Sequence, residues 1–140
     1  MARKKILHFE DESYIAEMYG LLFKQGGFDY RHFPNPPATA NELVDLVLRE
    51  KPDLIIMDIM MPMMDGYQAT KAIKDHPATT DIPVIGLCNV WQVDEIKKAL
   101  AAGMADYLGK IHYKPSEVAG IIKEFISNPG HYLPKCRQYL

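Results

Sequence analysis

The run Leu54-Ile55-Ile56-Met57 is apolar at every position, not at every second one. A strand built this way must be covered on both faces, which is the condition inside a parallel sheet whose crossover helices lie on either side. Comparable short runs recur at Ile6-Leu7-His8-Phe9, Val84 to Leu87 and Ala105 to Leu108, and Phe28 to Phe33 interleaves aromatic and polar residues as an edge strand would. Segments of helical period separate them. Ser13 to Gln25 sets Ile15, Met18, Tyr19, Leu22 and Phe23 on one face and stops at Gly26-Gly27. Thr39-Ala40-Asn41-Glu42 resembles a capping box, and Leu43, Leu46 and Val47 come after it. Further helices are predicted from about Gly66 to Asp75, from Val93 to Ala102 with Gly103 beyond, and from Ser116 to Ile126 with Val118, Ile121, Ile122 and Phe125 inward.

Five strand-helix units with short links require right-handed crossovers, so the alternation predicts an α/β fold, a doubly wound five-stranded parallel sheet, (βα)5. The 140 residues, 48% hydrophobic, suit one such domain over 4–127. Asn128-Pro129-Gly130 ends the last helix and leaves 128–140 as a tail carrying Tyr132, Leu133, Tyr139 and Leu140, too short for an output domain.

A formal net charge of -2 offers no long-range attraction to nucleic acid or to an anionic membrane. Cys88 and Cys136 stand far apart and make no disulfide framework. Met1 to Lys5 is basic like the start of a signal peptide, but Glu10-Asp11-Glu12 breaks the apolar stretch beyond it, and no apolar segment approaches the ~20 residues that span a bilayer. The expectation is a cytoplasmic protein.

In a parallel sheet every strand ends at the same edge, where ligands bind. There the first strand would bring Glu10 and Asp11, the third Asp58, the fourth Cys88-Asn89 and the fifth Lys110. Any one of these acids alone reads as a helix cap or a solvated group. Together, crowded carboxylates repel one another unless a cation intervenes, and an oxygen-only set suits Mg²⁺ or Mn²⁺ better than zinc. A divalent ion and a lysine around an aspartate can neutralise a transferring phosphoryl group, with an aspartyl phosphate as product.

Glu10-Asp11, the segment Asp58-Ile-Met-Met-Pro-Met-Met-Asp65-Gly66 and Tyr107-Leu108-Gly109-Lys110 resemble the receiver domain of two-component response regulators, over roughly Lys4 to Ser127. The resemblance implies the flavodoxin-like strand order 2-1-3-4-5, which the chemotaxis member of that family illustrates. It implies that Asp58 takes a phosphoryl group from the phosphohistidine of a sensor histidine kinase or phosphotransfer protein, with Mg²⁺ held by Glu10, Asp11, Asp58 and the Met60 carbonyl. Lys110 and Cys88 would contact the phosphoryl group, and Cys88 with Tyr107 would form the switch that repositions the face of helix 4, strand 5 and helix 5 for a downstream protein. Such a domain is a signalling phosphoacceptor and not an enzyme in the ordinary sense.

The chain departs from that pattern in places. Cys88 replaces a hydroxyl residue, and a thiol is a weak donor, so weaker switching is expected. Ile111 stands where proline is frequent and Asn89 where a small residue is usual. Met60 and Val90 bring no group to orient an attacking water, which predicts slow loss of phosphate. The alternative function is a receiver-like module that binds partners without phosphorylation. A haloacid dehalogenase-type phosphatase would need an aspartate where Met60 stands, and dinucleotide binding would need G-x-G-x-x-G in the acidic first turn. His8 and the methionines around Asp58 read as packing, and for Trp91 packing is favoured over docking.

Overall fold

The computed structural model describes residues 3–89 and 91–140, so Val90, expected to flank the site, lies outside the described residues. Strands and helices alternate as β1 (Lys5–Phe9), α1 (Ser13–Gln25), β2 (Asp29–Phe33), α2 (Ala40–Glu50), β3 (Leu54–Asp58), α3 (Gly66–Asp75), β4 (Val84–Cys88), α4 (Val93–Ala102), β5 (Asp106–Gly109) and α5 (Pro115–Ser127). All neighbouring strands are parallel, in the order β2-β1-β3-β4-β5. The order reverses between β1 and β3, and in sheets of this kind ligands bind beyond the carboxyl ends at such a point.

Strand alternation divides the core into two layers. Leu7, Phe9, Ile55 and Met57 face Leu43, Leu46 and Val47 of α2, Ala69 and Ile73 of α3, and Ile96 and Ala99 of α4. Ile6, Leu54, Ile56, Leu87 and Leu108 face Tyr19 and Phe23 of α1 and Val118, Ile122 and Phe125 of α5. Every residue of β3 is buried, as its unbroken apolar run requires.

Local chemistry sets the helix starts. The Thr39 hydroxyl accepts the Glu42 N–H at 3.2 Å. At α3 the Asp65 carboxylate accepts the Gln68 N–H at 2.8 Å while the Gln68 side chain accepts the Asp65 N–H at 3.1 Å, a full capping box. Gly66 is needed because a Cβ there would run into the Asp58 carbonyl and into Ile59.

Two sequence expectations need correction. Met18, assigned to the inner face of α1, is 41% exposed, because Ala16, Tyr19, Gly20 and Phe23 centre the buried stripe instead. The fifth strand, read as Ala105 to Leu108, runs one residue later and begins with Asp106, a fully buried carboxylate. Residues after α5 fold back as two short 3-10 turns, Pro129–His131 and Lys135–Tyr139, the second lying along β5. Among the described residues no helix is long and apolar enough to cross a membrane.

Candidate phosphoacceptor site

Parallel strands deliver the singled-out residues to one edge. Asp58 is the last residue of β3 and Cys88 the last of β4, while Glu10-Asp11 and Lys110 come directly after β1 and β5. The Lys110 backbone N–H continues the sheet ladder to the Cys88 carbonyl at 2.8 Å, which fixes where its side chain starts. From there its ammonium reaches Glu10 Oε2 at 3.0 Å and stands 4.0 Å from Asp58 Oδ2. Glu10, Asp11 and Asp58 can each offer one carboxylate oxygen within 4.8 Å of the others. Asp11 is exposed, whereas Glu10 is fully buried and Asp58 only 6% exposed.

Two buried carboxylates this close share one ammonium. Burial, reinforced by the neighbouring Glu10 charge, pushes the Asp58 carboxyl up to about 7 although Lys110 opposes the rise. Burial would depress the Lys110 ammonium, but the charges of Asp58 and Glu10 outweigh it and hold its pKa above the ordinary value. Asp58 Oδ1 accepts the Ile59 N–H at 2.7 Å, leaving Oδ2 toward Lys110.

Behind Glu10 lies a second polar layer, where the sequence suggested ordinary packing. His8 is fully buried, its Nδ1 2.7 Å from the Tyr30 hydroxyl and its Nε2 4.0 Å from Glu10 Oε2. Burial, with help from His32 and Lys110, drives its pKa down to about 3, so His8 is neutral and adds no countercharge to Glu10. His32 Nε2 lies 2.5 Å from the Glu10 carbonyl, and the Glu10 N–H donates to the Phe33 carbonyl at 3.1 Å. An edge strand thereby anchors the acidic turn.

Met60 sits in the bend after β3 with its side chain exposed. Cys88 and Tyr107 are both buried, and the Tyr107 hydroxyl engages the Cys88 and Tyr67 side chains, so the aromatic points inward and not to solvent. Tyr67 in turn donates to the Glu95 carboxylate at 2.5 Å, which extends the chain of contacts to α4. Trp91 lies on Gly109, the residue before Lys110, where a Cβ would collide with the indole.

A family model described as the response regulator receiver domain matches residues 6–123. The chain belongs to that family. As a receiver domain of two-component signalling, it is 30% identical over 130 residues to the phosphate regulon transcriptional regulatory protein PhoB of Pseudomonas aeruginosa, covering 93% of this chain and 55% of that protein. It is 39% identical over 80 residues to the chemotaxis protein CheY of Halobacterium salinarum, covering 57% of this chain and 65% of that one. The receiver domain of a sensor histidine kinase from Pseudomonas aeruginosa, whose structure holds a magnesium ion in its active-site cleft, superposes with a TM-score of 0.74 at 28% identity, over 90% of this chain and 99% of that chain. The receiver spans about half the length of the PhoB relatives it matches. Receiver domains are signalling phosphoacceptors that work with histidine kinases, and the fold and family expected from the sequence are the ones found.

Proposed function

We propose that Asp58 accepts a phosphoryl group from the phosphohistidine of a partner histidine kinase or phosphotransfer protein. A carboxylate oxygen of Asp58 attacks phosphorus in line, the P–N bond breaks, and the imidazole leaves with the bonding electrons. What supports this is the placement of the Lys110 ammonium against both Glu10 and Asp58, where it can track the incoming phosphoryl oxygens.

The donor set at this edge is carboxylate oxygen alone, which fits Mg²⁺ or Mn²⁺. Glu10, Asp11, Asp58 and the Met60 carbonyl are the residues that would hold the ion. Such an ion supplies charge neutralisation at the phosphoryl oxygens. The chain's own groups orient the nucleophile: Ile59 N–H holds Oδ1, and Lys110 holds the other side of the site. A thiol at Cys88 is a poor partner for a phosphoryl oxygen, so the step from phosphorylation to a changed α4–β5–α5 face, where a downstream protein would dock, is weaker than a hydroxyl would give.

Titrating Mg²⁺ and beryllofluoride while monitoring Trp91 fluorescence, with Asp58→Asn as control, tests the site; a response in the wild type alone, together with a Mg²⁺-dependent covalent phosphate on Asp58, is expected. The phosphorylation-independent alternative, motivated by Cys88 and the exposed Ile111, gains if wild type and variant respond alike. Cys88→Thr should enlarge the beryllofluoride response, and equal spectral changes in the two proteins would contradict the switch assignment. With the Met60 side chain carrying no group that could align a water, the aspartyl phosphate should persist for minutes or longer in Mg²⁺; decay within seconds, measured by mass spectrometry, would be incompatible with that view.

A further inference from the structure

The segment after α5 packs on α5 and along β5 and ends against Trp91 and His112, in the loops after β4 and β5. Its fixed point is Asp106, whose Oδ2 accepts the Tyr132 hydroxyl at 2.5 Å and the Lys135 N–H at 2.8 Å, and whose Oδ1 accepts the Cys136 N–H at 3.0 Å. Cys136 is 1% exposed, its segment packs along β5, and it belongs to the buried layer that also holds Tyr107. Tyr132 packs edge-on against Phe125 of α5 with ring centroids 4.9 Å apart. Farther along, Tyr139 meets Trp91 at 4.0 Å and His112 at 5.6 Å. Trp91 in turn rests on Gly109, next to Lys110.

We infer that residues 129–140 form a strap across β5 and α5, held at its far end by Trp91 ahead of α4, whose release is linked to phosphoryl occupancy at Asp58, so that the face they cover becomes available to a partner when the site is filled. The inference rests on Asp58 being the phosphoacceptor. A phosphoryl group adds about -1.5 to -2 charge and three acceptor oxygens. The donors nearest to Asp58 are the Ile59 N–H, at 2.7 Å from Oδ1, and the Lys110 ammonium, at 4.0 Å from Oδ2. Drawing Lys110 off Glu10 moves the adjoining Gly109, on which Trp91 is seated, and Trp91 is where Tyr139 docks. Linkage is reciprocal: whatever loosens the strap must also favour the phosphorylated state.

Cys136 reports the docked state because its thiol is buried only while the strap lies down. The full chain in Mg²⁺ is treated with N-ethylmaleimide, and peptide mass mapping separates the modification of Cys136 from that of Cys88. Fluorine NMR detects bound beryllofluoride in the same samples. Slow modification of Cys136 is expected at rest, rising about tenfold with beryllofluoride, with no rise in Asp58→Asn and a smaller ratio in Tyr139→Ala. Bound beryllofluoride with an unchanged Cys136 rate overturns the strap and leaves the phosphoacceptor assignment standing. Rapid modification at rest also overturns the strap, and an absence of bound beryllofluoride in the wild type overturns both assignments.

Discussion

Lys110→Met should destabilise the metal-free protein by about 3 kcal/mol and then recover much of that loss in saturating Mg²⁺. Lys110 is only 13% exposed at its side chain, and it is the ammonium that answers the buried Glu10 carboxylate at 3.0 Å. His8 cannot substitute, because burial keeps it neutral at 4.0 Å from the same carboxylate. Methionine fills the space of the lysine stem but strands a charge that cannot reach water, and removing one partner of a buried pair is far costlier than the pair is worth. A divalent ion among Glu10, Asp11 and Asp58 would supply the missing positive charge, which is why the deficit should shrink with added Mg²⁺. Urea unfolding with and without Mg²⁺ measures the loss and its recovery; a loss below about 1 kcal/mol, or one that Mg²⁺ does not repair, would show that Glu10 does not depend on Lys110.

Asp58→Asn should have the opposite effect on stability, gaining about 2 kcal/mol in metal-free buffer above pH 7 while abolishing phosphorylation. The sign is set by the carboxyl's elevated pKa of about 7, against 3.8 for the free group. The native state therefore holds this proton more tightly than the unfolded chain does. Stability contributed by the protonated form is fully present below pH 3.8 and is lost as pH rises through 7, so the variant's advantage grows over that window and levels off above it. Mg²⁺ reverses the ranking, because binding to the native wild type stabilises it by mass action and the amide is a far poorer ligand than the carboxylate it replaces. The Mg²⁺ affinity of the wild type should itself rise as pH climbs toward about 7, since the ion must displace the Asp58 proton. Thermal melts across pH, with and without Mg²⁺, decide the matter: a variant that is no more stable at pH 8 than at pH 4, relative to wild type, would refute the electrostatic account.

The architecture was legible because it is written in periodicity. An unbroken apolar β3 can only be central, and Asp58 closing it can only lie on the edge where Glu10 and Lys110 also arrive. Side-chain depth was less legible. Lys110 by itself resembles any surface lysine until Glu10, a hundred positions earlier, is seen against it. The depth of Asp106 is not legible in the sequence, because a carboxylate inside a strand looks like an edge polar group; its partners, Tyr132, Lys135 and Cys136, lie on a segment whose return path has no periodic signal. Met18 failed for a different reason. The apolar positions of α1 extend past the face that Ala16, Tyr19, Gly20 and Phe23 bury, so a residue on the margin stays outside. An acid buried in a short strand and an aromatic pair late in the chain were the available hints that the two belong together.

The two borders of the sheet are finished differently. At one, β2 carries the exposed charges Asp29 and Arg31, which discourage another strand from pairing there. At the other, β5 has no exposed residue of its own and depends on the segment lying along it. Removing that cover would leave a bare strand as a template for strand addition by a neighbouring copy, so the segment also guards this border of the sheet against self-association.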